Sequence, residues 1–157
     1  MKILIIYTSK TGNTEKMAIG VKEGAEKAGA SVELKKTGEV SASELSGADG
    51  IIIGTPTYYG LPSADIKQLL DESVRHHGSL EGKAGGAFSS AANIGGGNET
   101  AIMALLQAML IHGMVIPGTS SGDHYGPVSI GAPDERVLKQ CAELGRRVAL
   151  TAEKLSG

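Results

Sequence analysis

The sequence predicts an α/β fold in which a doubly wound, five-stranded parallel sheet lies between two layers of helices. Short apolar runs rich in β-branched residues recur along the chain, and such runs are typical of strands buried on both faces. Helical segments separate them, so strands and helices alternate five times, which favours parallel strands joined by right-handed crossovers. The 157 residues fit a single domain, 1–157, with room for a hydrophobic core.

The strands and helices follow from local patterns. The predicted strands are Lys2–Tyr7, Ser31–Lys35, Gly50–Gly54, Lys83–Ser90 and Met114–Ile116, and one helical turn is expected at Glu44–Ala48. The first helix ends near Ala28, before Gly29, and the last opens at Pro133, Asp134 and Glu135 with a buried side that includes Val137 and Leu155. Between them, Ser63 is a plausible cap of a helix with Ile66, Leu69, Leu70 and Val74 on one face, and a largely apolar helix runs from Asn98 to His112.

Composition excludes several classes of function. The net charge of −2 argues against nucleic acid or an anionic membrane as a partner. We find no signal-peptide pattern and no run long enough to span a bilayer, so we expect a cytoplasmic protein. The single cysteine, Cys141, lies on a helical core stripe and is expected to be inert packing. His76 and His77 have no partners at metal-ligand spacing, so we expect no metal site.

The segment Thr8–Thr14 links the first strand to the first helix and carries four hydroxyls, on Thr8, Ser9, Thr11 and Thr14. A helix that begins at the carboxyl end of a strand presents unpaired N–H groups to an anion. The segment matches neither the Walker A spacing nor the dinucleotide fingerprint. It can be a simple hydroxyl cap of the helix, but four hydroxyls in seven residues favour a phosphate site, to which Lys10 can add charge.

The other loops at the carboxyl ends of the predicted strands collect the rare aromatic residues. In open parallel sheets, ligands bind at this edge. The loops Thr55–Pro62, Ala91–Gly97 and Pro117–Ala132 carry Tyr58, Tyr59 and Tyr125, together with many of the 23 glycines. Glycine and tyrosine are common in loops generally, but aromatic faces beside bare backbone also suit a flat heteroaromatic ring.

The run T-S-K-T-G-N-T resembles the phosphate loop of flavodoxins. The resemblance implies a flavodoxin-like fold with strand order 2-1-3-4-5 and a non-covalent FMN. Gly60 then stands where a peptide carbonyl can turn toward the reduced flavin, so Gly60→Ala is expected to shift the flavin's redox behaviour. His124, beside Tyr125, is expected near flavin or substrate. The cofactor-binding residues implied are Ser9, Lys10, Thr11, Gly12, Asn13, Thr14, Pro56, Thr57, Tyr58, Tyr59, Gly60, Ser90, Ala91, Ala92, Asn93, Gly95, Gly96, Gly97, His124 and Tyr125.

Four further blocks, GTPTYYG, SSAANIGGGNET, HGMVIP and YGPVSI, look like those of WrbA-type NAD(P)H:quinone oxidoreductases. That family works as tetramers with FMN and NADH or NADPH, and His112 matches a histidine that would reach a neighbouring subunit's flavin. As a residue before a glycine cap, His112 also has a plain structural explanation, which we prefer. The family's long insert before the third strand and long segment after the fifth are shortened here, which puts the tetramer and the quinone pocket in doubt.

Three functions remain open. The preferred one is a flavodoxin-family carrier that passes electrons through FMN to a redox partner protein. The alternative is a WrbA-type NAD(P)H:quinone oxidoreductase acting on a quinone, in which case a homo-oligomer is expected. The third, at low weight, is a nucleotide-binding module without redox chemistry.

Overall fold

The computed structural model describes residues 1–157 as a three-layer α/β/α structure around one parallel sheet. The strands lie in the order β2-β1-β3-β4-β5, and every neighbouring pair is parallel. This confirms the predicted fold class and strand order. The strands are β1 (Lys2–Tyr7), β2 (Ser31–Lys36), β3 (Gly50–Pro56), β4 (Ala84–Ala91) and β5 (Val128–Ile130).

Four α-helices cover the sheet, and none of them combines the length and the apolar character needed to cross a membrane. Short 3₁₀ segments occur at Thr37–Glu39, Ala42–Gly47 and Ser73–His76. The second of them overlaps the predicted helical turn at Glu44–Ala48. The helices are α1 (Asn13–Lys27), α2 (Ala64–Glu72), α3 (Asn98–Ile111) and α4 (Glu135–Ser156).

The sheet separates two hydrophobic cores because side chains alternate between its faces. Ile3 and Ile5 face one side and pack with α1 and α4. Leu4 and Ile6 face the other and pack with α2 and α3. The central strands are therefore buried on both faces, which is why their sequences are continuous apolar runs rather than alternating ones.

The fifth strand lies elsewhere than predicted. Within Met114–Ile116, only Val115 forms a bridge, to Ala84. The regular pairing occurs at Val128–Ile130, opposite Ser89–Ala91, inside what the sequence suggested was irregular loop. Proline has no N–H for the ladder, so Pro117 ends the first contact, and the chain returns to the same edge eleven residues later.

Two residues assigned to buried helix faces are exposed. Val74 is 69% exposed because α2 ends at Glu72 and the following 3₁₀ turn changes the angle per residue. Leu155 is 47% exposed in the last turn of α4, where little protein remains to cover it. Ser63 does precede α2, but its side chain forms no cap hydrogen bond.

Helices α1 and α4 cross at two glycines. A Cβ on Gly24 would lie 1.9 Å from the carbonyl oxygen of Ala142, and one on Gly145 would lie 1.9 Å from that of Val21. No side chain fits between the backbones at these points, so the two glycines set how closely this helix layer packs.

We predict that Gly145→Ala lowers the free energy of unfolding by about 3 kcal/mol, because the added methyl group must push the helices apart. Urea unfolding followed by circular dichroism measures the change. The matched control is Gly47→Ala, since a Cβ at Gly47 meets nothing within 4 Å. Equal unfolding midpoints for the two variants would show that the crossing is not tightly packed.

Candidate functional site

Three loops meet at the carboxyl edge of the sheet because β1, β3 and β4 are adjacent and in register there. Tyr7 pairs with Gly54, which pairs with Phe88. Beyond these pairs, the Thr8 N–H donates to the Gly54 carbonyl at 3.2 Å, and the Thr57 N–H donates to the Ser90 carbonyl at 2.8 Å. The loops that follow these strands therefore form one continuous rim.

The amino terminus of α1 is open toward this rim. Its cap residue is Gly12, at φ +88°, and no side chain caps the helix. The first intrahelical bond runs from the Lys16 N–H to the Gly12 carbonyl, so the N–H groups of residues 13–15 have no helical partner. Ser9 Oγ accepts the Gly12 N–H at 3.1 Å and keeps its own proton to donate. A helix terminus without a side-chain cap leaves its N–H groups available to an anion.

Not all the hydroxyls of this segment are free, contrary to the sequence argument. Thr14 is buried, and its hydroxyl pairs with Ser90 Oγ at 2.9 Å. The Thr8 hydroxyl bonds to Asp65 and to Thr37. Ser9 and Thr11 therefore remain as the hydroxyls available to a phosphate, and Thr14 with Ser90 instead ties the α1 loop to β4.

Two ionic groups stand beside the open terminus. The Lys10 ammonium lies 5.4 Å from the centroid of the Tyr58 ring, within the range of a cation–π contact. Burial alone would raise the pKa of Asp65, but hydrogen bonds from the Thr8 hydroxyl and from backbone N–H groups at the start of α2 lower it. Asp65 thus stays ionised and is occupied by donors of its own.

Residues 58–61 form a tight two-residue turn. Tyr58 and Leu61 exchange both backbone hydrogen bonds at 3.0 Å, and the central residues have φ +52° (Tyr59) and +76° (Gly60). This is the type I′ pattern, which suits Gly60 and strains Tyr59. Tyr59 is the only non-glycine residue with positive φ and is fully exposed. Its ring stands free at the rim, where it can cover a ligand.

The third loop packs directly on that turn. A Cβ on Gly97 would lie 2.4 Å from the Gly60 Cα, so only glycine fits there. Thr100, in the first turn of α3, donates its hydroxyl to the Gly60 carbonyl at 2.7 Å. The residues before Gly97 are exposed, and Gly96 closes a turn on the Asn93 carbonyl at 3.1 Å. The sequence analysis missed Thr100. A threonine in the first turn of a helix commonly forms a hydrogen bond to a nearby backbone group, as Thr100 also does to the Gly97 carbonyl, so its presence there does not indicate a site.

One hydroxyl in the loop that follows β3 is buried and has no hydrogen-bond partner. Thr57 Oγ1 is inaccessible to solvent and has no hydrogen-bond partner. Buried polar atoms are rarely left without a partner, because the cost is about 1–3 kcal/mol. Together with the open N–H groups of α1, it indicates a polar ligand lying across the rim, and the donor set fits a phosphorylated heterocycle.

His124 and Tyr125 do not join this group. Both line a separate cavity with Gly85 and Gly86, in the first half of β4, several residues from the carboxyl edge. The long loop places them there because it leaves the sheet after Pro117, at the level of that half of β4. Their position does not support the expected contact with the ring, whereas Pro56–Gly60 and Ser90–Gly97 do lie together.

His112 ends α3, at the far end from the rim, and Gly113 follows at φ +79°. Its Nε2 lies 2.9 Å from Ser73 Oγ, and its ring centroid is 5.9 Å from that of His77. Burial, with a smaller contribution from His77, lowers the pKa of His112. This agrees with a structural role at the helix end, and the predicted contact with a neighbouring subunit stays a prediction.

The strand order and the three-layer architecture define a flavodoxin-like fold. Residues 35–126 match the family described as NADPH-dependent FMN reductase. The chain is 40% identical to a flavodoxin of Aquifex aeolicus, over 94% of this chain and 85% of that protein. It is 35% identical to an NAD(P)H dehydrogenase (quinone) of Archaeoglobus fulgidus, over 98% of both. The chain belongs to the flavodoxin-like family of FMN-binding proteins, as predicted.

Solved structures of similar proteins have the same fold. A flavodoxin from the domain Archaea superposes with a TM-score of 0.80 at 28% identity, over 100% of both chains. A flavodoxin, WrbA-like protein from Agrobacterium tumefaciens superposes with a TM-score of 0.82 at 28% identity, over 98% of both. The similarity extends along the whole chain, and it includes both of the classes that the sequence motifs indicated.

We predict that Thr100→Val weakens FMN binding roughly fivefold, the equivalent of about one neutral hydrogen bond, because the 58–61 turn loses its tie to α3. Fluorescence titration of FMN measures the affinity. Thr119→Val, at a threonine outside the rim, is the matched control and should bind like the parent. Equal affinities for Thr100→Val and the parent would mean that the turn needs no such tie.

The lowered pKa of His112 predicts that the free energy of unfolding falls in acid. The unfolded chain takes up this proton near its ordinary pKa of 6.5 and the folded chain only at lower pH, so stability falls as pH drops below about 6.5. His112→Gln, which retains a partner for Ser73, should flatten the loss of unfolding free energy between pH 7.5 and 5.5. His76→Gln is the control, and an unchanged slope in His112→Gln would contradict the assignment.

Proposed function

We propose that this protein transfers electrons through one non-covalently bound FMN held across the three loops of the rim. The observation that carries the proposal is the uncapped amino terminus of α1, with its free N–H groups, directly beside a turn and a glycine-rich segment packed on one another. A phosphate at the helix terminus and a flat ring at the paired loops account for all three features.

The residues take distinct roles in this proposal. Segment Ser9–Thr14 binds the phosphate through backbone N–H groups, the Ser9 and Thr11 hydroxyls and the Lys10 charge. The Thr57 hydroxyl, which is buried and has no partner within the protein, donates a hydrogen bond to the ligand. Pro56–Gly60 and Ser90–Gly97 hold the ring and the chain that joins it to the phosphate, and Tyr58 and Tyr59 screen the ring from water. The bound FMN supplies the redox chemistry, and the protein sets its surroundings.

A second candidate, reduction of a quinone by NADH or NADPH, is favoured by one feature. A trough of about 1270 Å³ starts at Thr8, Tyr58 and Tyr59 and continues between α2 and α3 to Ile111 and His112. Its walls are mostly apolar, so it can accept an apolar substrate beside the ring. The relatives named NAD(P)H dehydrogenase (quinone) support this candidate, and the relative named flavodoxin supports the carrier.

We predict that Ser9→Ala weakens FMN binding about tenfold but leaves riboflavin binding unchanged. A hydrogen bond to a charged group contributes about 1.5–3 kcal/mol, and riboflavin has no phosphate to accept it. Titration of both ligands into the parent, Ser9→Ala and the exposed control Ser46→Ala gives the ratio of affinities. If Ser9→Ala lowers both affinities equally, the phosphate lies elsewhere.

The carrier and the reductase are separated by an anaerobic experiment on the FMN-loaded protein. For a carrier, the flavin absorbance is expected to persist after NADH or NADPH is added and to bleach only with dithionite or a reductase. Bleaching by a pyridine nucleotide within seconds, reversed by a quinone, would instead establish the second candidate. Failure of the protein to take up FMN would contradict both.

A further inference from the structure

A second cavity lies at the edge of the sheet, in the gap between the two contacts of the last strand. Val115 pairs with Ala84, and regular pairing resumes only at Val128 with Ser89. Between these points the edge of β4 has no strand beside it. The cavity measures about 270 Å³, enough for a molecule of roughly ten heavy atoms.

The walls of this cavity are mainly apolar. Leu106 comes from α3 and Leu144 from α4, so both helix layers contribute, and Ile116 also lines the cavity. Tyr125, 56% exposed, stands at the opening. Gly85 and Gly86 of β4 line it as well, and none of these residues belongs to the three loops of the rim.

One cation lines the cavity, and one of its nitrogens has no hydrogen-bond partner. Arg147, on α4, lines the cavity, and its Nε is buried with no hydrogen-bond acceptor. The nearby carboxylate of Glu143 attracts the Arg147 charge, but its hydrogen bonds, of 2.8 and 2.9 Å, go to Arg146. Burial lowers the pKa of Arg147, yet a guanidinium remains charged at neutral pH.

Two polar side chains of the long loop, one of them on the cavity wall and the other next to it in sequence, form hydrogen bonds to groups other than Arg147. Asp123 is occupied by Arg136 at 2.9 Å and by the Val128 N–H at 3.0 Å. His124 directs Nδ1 to the Thr119 carbonyl at 3.0 Å, which makes that nitrogen the donor and leaves Nε2 free. The cavity thus combines apolar walls with a guanidinium whose Nε has no hydrogen-bond acceptor.

We propose that the cavity walled by Arg147, His124 and Tyr125 binds a small organic acid, whose carboxylate pairs with the Arg147 guanidinium and whose apolar body lies against Leu106, Ile116 and Leu144. A guanidinium matches a carboxylate with two parallel hydrogen bonds. The enclosed volume and the single cation favour a monocarboxylate over a larger polyanion. This ligand is distinct from the cofactor, and its binding goes beyond the proposed electron transfer.

Benzoate is the probe, and benzyl alcohol is its uncharged counterpart. Both are titrated into ¹⁵N-labelled, FMN-saturated protein, so that the cofactor occupies the α1 terminus and the anion cannot bind there. Amide shifts at Gly85, Gly86, Gly118 and Thr119 report the cavity. We expect benzoate to bind with a dissociation constant on the order of 1 mM and at least ten times more tightly than benzyl alcohol.

Two charge variants test whether Arg147 is the cation that binds benzoate. Arg147→Gln is expected to weaken benzoate binding at least tenfold, whereas Lys139→Gln, which removes an exposed charge from the same helix, leaves it unchanged. Tyr125→Ala, at an exposed position that does not threaten folding, is expected to weaken both ligands by a few fold. Equal affinities for benzoate and benzyl alcohol, equal effects of the two charge variants, or benzoate shifts confined to other parts of the chain would each overturn the proposal.

Discussion

All five strands of the sheet point the same way, and the site depends on that constraint. Parallel strands bring their carboxyl ends to one edge, so chain segments far apart in sequence meet there. In this protein the order β2-β1-β3-β4-β5 makes the three buried strands neighbours. The hydrogen bonds that continue past the strand ends, Thr8 to Gly54 and Thr57 to Ser90, then extend the order of the sheet into the loops.

The rigid part of the site and its ligand-facing part use different residues. Thr14 and Ser90 join the start of α1 to the end of β4 through buried hydroxyls, and Thr100 ties the 58–61 turn to α3. The unpaired N–H groups of α1, the exposed Tyr59 and the orphaned Thr57 hydroxyl remain for a ligand. Because the framework satisfies its own hydrogen bonds, the site is preorganised, and binding need not order the loops.

Most of the fold could be predicted from the sequence because the buried strands are recognisable as apolar runs. The prediction failed at the last strand because Met114 and Ile116 are apolar to fill the core on the α3 side of the sheet, whereas Val128–Ile130 has only three residues. His124 and Tyr125 were expected at the rim, but they line a cavity with Gly85 and Gly86, because the chain leaves the sheet after Val115 and pairs with it again only at Val128. The predicted roles of Thr8 and Thr14 needed partners from α2 and β4, which local sequence does not reveal.

The most direct test of the account is an NMR titration of the ¹⁵N-labelled, cofactor-free protein with FMN. We expect the amides of residues 11–15, 57–60 and 92–97 to show the largest shifts, with riboflavin reproducing those of the second and third groups but not the first. Shifts that leave the amino terminus of α1 unaffected with FMN, or that centre on the cavity beside Arg147, would contradict the assignment of the cofactor to the rim.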